Sequence, residues 1–345
     1  MNQEYNSDGS PKQSAPDPIA LPDHIASSGT LDRLVDTARD YAKAATSDNT
    51  ARAYAKDWAH YSRWCRMRGA DPLPPSPELI GLYIADCAAS LSVATIERRL
   101  SGLGWHYLAR GYRLDRQNRH LAMVLAGVRR THSRPPVQKE AVLADDLRDM
   151  LDTLPHDLRG LRDRAMLLLG YAGGLRRSEI VGLDLHKDDM PDSQGWVEVL
   201  DGGLLLTLKG KTGWREVEVG RGSTDQTCPV HALTQWLHFA KIDFGPLFTR
   251  IGPDHKATPA RLSDKHVARL IKACVRDAGI RADLPLADRI RLYSGHSLRA
   301  GLASSAEVDE RHVQKHLGHA SAEMTRRYQR RRDRFRVNLT KAAGL

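Results

Sequence analysis

The chain has 345 residues, 41% hydrophobic and 27% charged, enough to bury a sizeable core and, by ordinary domain size, to form about two domains. No run of roughly 18 apolar residues occurs, and the opening MNQEYNSDGSPKQSAPDP lacks the basic-then-apolar order of a signal peptide, so no membrane span and a cytoplasmic location are expected. Fifty-two Lys and Arg against forty-two Asp and Glu leave a net charge of +10, which favours a polyanionic partner, nucleic acid before an anionic membrane, and the four cysteines form no CxxC pair and read as small buried hydrophobes.

Residues 1–28 are rich in Pro, Ser, Asp and Gln, a composition that predicts a disordered tail. From 29 to 130 residues recur at spacings of three and four: Leu31, Leu34, Val35 and Ala38; Tyr54, Trp58, Tyr61 and Trp64; Leu79, Leu82, Tyr83 and Asp86; Ile96, Leu100, Leu103 and Tyr107; Leu121, Val124, Leu125 and Val128, nearly all of them apolar. The pattern predicts a bundle of about five helices, with Thr46-Ser47-Asp48-Asn49 capping the second and Ser76-Pro77-Glu78 opening the third. Residues 131–139, polar, basic and holding two prolines, read as an extended linker. The second domain, 140–345, begins with helices near 143–153 and 158–172. The period then changes to two, and 196–200, 203–208 and 215–219 read as short strands joined by Gly-rich turns. Helical spacing resumes near 229–240, 263–278, 297–306, 309–317 and 321–330. The expected fold is mainly α: a helical domain followed by an α+β domain with a small antiparallel sheet.

Three signals in the second domain carry chemistry: Gly174-Leu175-Arg176-Arg177-Ser178-Glu179, then Gly295-His296-Ser297-Leu298-Arg299, then Leu317-Gly318-His319 with Tyr328 nine residues on. His296 and Arg299, three apart, share a helical face and can aim two donors at one anion. Taken alone, such a pair is more often a solvated face. Glu179 can brace Arg176 or be a simple surface ion pair. His312, His316 and His319 have helical zinc spacing, but the glutamate of HExxH is missing and Lys315 would repel a cation, so no metal or other cofactor is expected and His312 and His316 read as helix-surface residues.

In order and spacing these segments resemble the catalytic signature of the tyrosine site-specific recombinases, the family of phage integrases and Cre recombinase. The likeness covers nearly the whole chain after residue 30, and Tyr293-Ser294-Gly295-His296-Ser297 is especially similar to Cre, although His319 stands where Cre has tryptophan. The resemblance implies that the first domain is a core-binding domain and the second a catalytic domain ending in an assembly helix. It implies that Arg176, His296 and Arg299 activate a phosphate, that His319 is the second histidine, and that Tyr328 is the nucleophile. It also implies a lysine on a β-hairpin as general acid. Lys211 is preferred, since Lys-Thr-Gly precedes a strand as in integrases, while Lys209 ends the previous strand and suits a backbone-phosphate contact.

The implied reaction is cleavage and rejoining of duplex DNA through a 3′-phosphotyrosyl link, with strands exchanged between two specific sites by a self-assembled tetramer, without metal or ATP. Other readings are a type IB topoisomerase, which shares the Arg, Lys, His and Tyr set, a catalytically silent DNA-binding factor on the same fold, and a zinc hydrolase. Without the other motifs, Tyr328 reads as a packing aromatic or a base-stacking ring. Arg326 and Arg327, in an Arg-rich run around Tyr328, suit a DNA backbone, and Ser92, Thr95 and Arg99 on the helix near 92–110 are candidate readers of base edges. Phe335, Leu339 and Ala342 form one apolar stripe that must dock on its own domain or on a neighbouring protomer.

Overall fold

The computed structural model describes residues 32–135, 138–210, 213–306, 309–318 and 323. The chain divides after residue 136 into two compact units. In the first, α1 (Asp32–Ala44), α2 (Asp48–Arg66), α3 (Pro77–Ala88), α4 (Val93–Leu108) and α5 (Arg119–His132) follow one another. Their starts are set by short polar side chains that take otherwise orphaned backbone N–H groups. Ser47 accepts from Thr50, Ser76 from Leu79, Ser92 from Thr95 and Asn118 from His120. The last helix runs two residues into the segment read as linker, because Thr131 and His132 extend its final turn before Pro135 ends helical geometry.

Tyr61, Tyr83, Tyr107, Ile96, Leu100, Leu103 and Leu121 close a core with almost no solvent access. The rings meet edge to face, as Tyr61 and Tyr83 do at 5.0 Å and 65°. Two readings of faces are corrected. On α3 the buried set is Ile80, Tyr83, Ile84 and Cys87, while Leu82 is exposed. On α1, Leu34 and Ala38 of the first apolar stripe are exposed.

The second unit is built round α7 (Leu158–Ala172), whose run Ala165 to Leu169 is wholly buried. It packs with α6 (Ala144–Asp152), α9 (Pro229–Ala240) and α12 (Ser297–Ser305). Between them run α8 (Arg177–Gly182), β1 (Leu183–Asp184), β2 (Gly195–Leu200), β3 (Gly203–Gly210) and β4 (Gly213–Gly220). The sheet order is β1-β2-β3-β4, with β1 parallel to β2 and the other pairs antiparallel. Strict alternation sends Val197, Leu206, Leu208 and Val217 to the core and Trp196, Thr207, Lys209 and Trp214 to the other face.

Beyond the expected elements are β1, a two-stranded sheet of β5 (Thr249–Ile251) and β6 (Ala257–Arg261), and the short helices α8 and α11 (Leu286–Leu292). Each is too short for a period to register. α10 (Asp264–Asp277) and α13 (Glu310–Leu317) complete the described order. All four cysteines are free and buried, and no helix among the described residues is long and apolar enough to cross a membrane. The tail 1–28 and most of the expected helix 321–330 lie outside the described residues.

Candidate active site

The site begins at a glycine. Gly174 ends the turn after α7 at φ +56°, a left-handed conformation, and a β-carbon there would lie 2.3 Å from Leu317 Cδ2. This sharp turn delivers Arg176 in extended conformation at the cap position of α8. Glu179 reaches back to it, accepting from the Arg176 backbone N–H at 2.8 Å and from its guanidinium Nη1 at 2.6 Å. Arg215, on β4, donates from Nη2 to the same carboxylate at 3.0 Å.

Glu179 is thus a buried carboxylate between two guanidinium groups, which removes the simple surface ion pair as a reading. Its relation to Arg176 is that of a helix cap rather than of two side chains on one helical face. Burial alone would raise its pKa, but the Arg176 N–H and the two arginines outweigh it and hold the carboxyl below its usual value.

Arg299, on α12, is buried. Its Nη1 donates to the Gly174 carbonyl at 2.6 Å and its Nη2 to the Leu317 carbonyl. One guanidinium therefore ties together all three sequence signals. His296 precedes α12 at its cap position and stays solvent-accessible, with its backbone N–H on Ser294 Oγ at 3.3 Å. Desolvation first, then the charges of Arg299, Arg176 and Arg177, push its pKa below 6.5, so the ring is neutral at pH 7. Tyr293, just before it, is buried and donates to Glu140 at 3.3 Å.

Arg176, Ser178, Glu179, Gln194, Lys209 and Gly210 line one cavity of about 220 Å³. Lys209 is exposed at the end of β3 and shares that cavity with Arg176. Lys211, His319, Tyr328, Arg326 and Arg327 lie outside the described residues.

Two further residues belong to this centre, Arg215, which sequence reasoning does not single out, and His316, which it places on the helix surface. Arg215 also donates from Nη1 to the His316 carbonyl at 2.7 Å, joining the sheet to α13. Contrary to the surface position expected from the sequence, His316 is half-buried, with its Nε2–H donated to the Ala172 carbonyl at 2.9 Å. Burial first, then Arg215 and Arg299, lower its pKa, although the backbone bond acts the other way. The alternation of β4 marks Arg215 as an inward residue beside Val217, a charge where an apolar side chain is expected. No comparable signal marks His316. Among the described residues no group of His, Cys, Asp or Glu could hold a metal.

In the first unit, Ser92 spends its hydroxyl capping α4 and pairs with Thr95 Oγ1 at 2.9 Å. Arg99 donates to Tyr83 Oη at 2.9 Å and to His60 Nδ1 at 3.0 Å, inside the helical unit. All three are therefore engaged in local bonds.

The phage integrase family profile matches residues 140–334. A Selenomonas ruminantium protein named integrase/recombinase xerD homolog is 32% identical over 316 residues, 89% of each chain. A tyrosine recombinase XerC of Pseudomonas aeruginosa is 34% identical over 191 residues, which span 54% of this chain and 53% of that one. Among solved structures, the XerH site-specific recombinase bound to palindromic difH substrate, a post-cleavage complex, is similar with a TM-score of 0.61 at 18% identity over 94% of this chain and 86% of that one. A lambda integrase dimer bound to a COC′ core site gives 0.54 at 16% identity over 89% and 77%.

Proposed function

Because this chain belongs to the phage integrase family and is a tyrosine recombinase, an enzyme that breaks and rejoins DNA, we propose that Tyr328 is its nucleophile and that Arg176, His296, Arg299 and His319 serve the attack. The observation that supports this reading is the Arg299 clamp on Gly174 and Leu317, which holds the turn before Arg176, the helix that follows His296 and the end of α13 together.

Attack of a phenol oxygen on a phosphodiester builds negative charge on the nonbridging oxygens. Arg176, oriented by Glu179 and partly open to the cavity, supplies a fixed donor where that charge grows. Such guanidinium groups do the charge compensation without a metal. A free tyrosine has a pKa near 10, so its proton must pass to a base. His296, neutral at pH 7, is suited to take it. The leaving 5′ oxygen must gain a proton, and a lysine at the β3–β4 turn gives it. Between the two candidates, Lys209 has support from its place beside Arg176 in the cavity, while Lys211 has the support of sequence pattern. The phosphotyrosyl bond keeps the ester energy, so the 5′ hydroxyl of a partner strand can reseal it without ATP.

The substrate is duplex DNA carrying a specific target, and the working form is a tetramer on two sites, joined through a C-terminal helix that bears Phe335, Leu339 and Ala342. The solved relatives support this reading, since their complexes include a lambda integrase tetramer on a Holliday junction. The basic run holding Arg326 and Arg327 contacts the backbone near the cut, with Ser92, Thr95 and Arg99 the proposed contacts of the first unit.

The test is Tyr328→Phe on a nicked substrate: binding persists and the covalent adduct vanishes, whereas an adduct formed by the variant overturns the assignment. A bridging sulfur at the leaving oxygen separates the lysines, because sulfur departs without a proton. Only the variant of the true acid fails on ordinary DNA and recovers on the sulfur substrate.

A further inference from the structure

The face of the sheet turned away from the core carries two tryptophans that the recombination chemistry does not use. Trp196 on β2 and Trp214 on β4 stand with ring centroids 5.6 Å apart at an interplanar angle of 54°. Trp214 is 58% exposed, an unusual state for the largest apolar side chain unless something covers it. Trp196 donates its indole N–H to Glu198 at 3.0 Å, which fixes the ring by its edge. Lys187 Nζ lies 5.8 Å from the Trp196 ring centre and Lys209 Nζ 6.0 Å from that of Trp214.

The register of the hairpin sets Trp214 directly opposite Lys209, and Lys209 lines the cavity that holds Arg176. The ring pair therefore sits one side chain away from the group assigned to the reacting phosphate. On that assignment, we propose that Trp196 and Trp214 form a stacking site for an unpaired base of the DNA strand being cut.

The chemistry of the face selects this occupant. Glu198 and Glu216 stand on the same side of the sheet, so a phosphate track there would be repelled. A base is uncharged and binds through its π-face, which tryptophan offers whatever the sequence. The flanking lysines then serve the phosphates on either side of it. A need for such a site follows from strand exchange itself. Nucleotides next to the break must leave one complement before they pair with another, and in that interval their bases have lost both pairing and stacking.

The experiment compares the full chain with Trp196→Ala/Trp214→Ala, using an intact duplex and the same duplex with a short single-stranded gap carrying 2-aminopurine. The wild type binds the gapped DNA more tightly and quenches the probe. The double variant loses roughly tenfold affinity for gapped DNA, the scale of stacking on an aromatic side chain, keeps its affinity for intact duplex, and leaves the probe bright. Stacking is not ionic, so the loss is the same at low and high salt.

Trp→Phe replacements retain the effect, and Trp→Leu replacements, which keep apolar bulk and protect the fold, lose it. Equal binding by variant and wild type, a loss that disappears at high salt, or full rescue by leucine each overturns the proposal. Adduct formation by the wild type on nicked duplex is read in parallel. Its absence would sink the recombinase assignment, whereas normal adduct with no gap preference sinks only the stacking site.

Discussion

Each unit of the molecule contains a buried carboxylate held between two arginines, and the two triads have different surroundings. In the helical unit, Asp57 on α2 is paired with Arg98 and Arg99 on α4. In the other, Glu179 is paired with Arg176 and Arg215. The exposures run in parallel, with one arginine side chain at 15% in each set, Arg99 and Arg215, and the other more open, Arg98 at 44% and Arg176 at 29%. Arg99 donates from Nη1 to Tyr83 and His60 against an aromatic core. Arg176 lines a cavity together with Lys209, and its charge helps to lower the pKa of His296. The more open arginine of the first triad, Arg98, meets solvent, while that of the second, Arg176, meets a cavity, and the proposed catalytic role draws on that difference.

The largest effect that would break this contrast is on rate. Arg176→Ala lowers adduct formation by at least about a hundredfold, the cost of losing one donor to a developing oxyanion, with little change in the denaturation midpoint. A near-normal rate would reduce the second triad to a brace like the first. Next, Asp57→Ala destabilises the helical unit by about 2 kcal/mol in urea titration, less than a fully buried pair because Arg98 can turn to water. The rate of DNA-bound enzyme stays the same, and a rate collapse without loss of stability would erase the distinction.

A smaller effect comes with pH. A histidine whose folded pKa is depressed binds fewer protons than the unfolded chain between the two values, so its stability contribution is present above about 6.5 and falls as pH drops through that window. Cleavage is expected to hold level from pH 8 to below 6.5 and then decline as His296 gains its proton. His316→Gln keeps the decline in rate but flattens the stability profile. The least effect is that of Arg98→Ala, under about 1 kcal/mol because this arginine is solvent-exposed and Arg99 still pairs with Asp57.

Much of this architecture is legible in the chain because helices of three turns or more carry enough apolar positions to display a period, as Ile96, Leu100, Leu103 and Tyr107 do. The hairpin was equally open to reading, since Val197, Leu206 and Val217 alternate with polar neighbours. Elements of two to seven residues, such as β1 and α11, carry no period. Within the site, motif spacing pointed to Arg176 and Arg299 but not to what they touch. Arg299 meets main-chain carbonyls, and a carbonyl has no letter in a sequence. The same holds for His316, whose partner is the carbonyl of residue 172, while Arg215 shows as an inward charge on β4 but its carboxylate partner lies 36 residues away.

That Arg299 grips carbonyls also shapes which positions are free to drift. Any residue carries the oxygen, so Leu317 can be exchanged for another apolar side chain of similar volume without cutting the bond, and an apolar pocket would restrain its size alone. Position 174 has no such latitude, because its oxygen is presented by a left-handed turn pressed against Leu317, and every alternative to glycine brings both strain and a clash. Position 299 admits only a forked cation. Tolerance in this centre is therefore graded by geometry rather than by nearness to the cut: a residue that lends only its backbone can change, while the glycine that aims that backbone cannot.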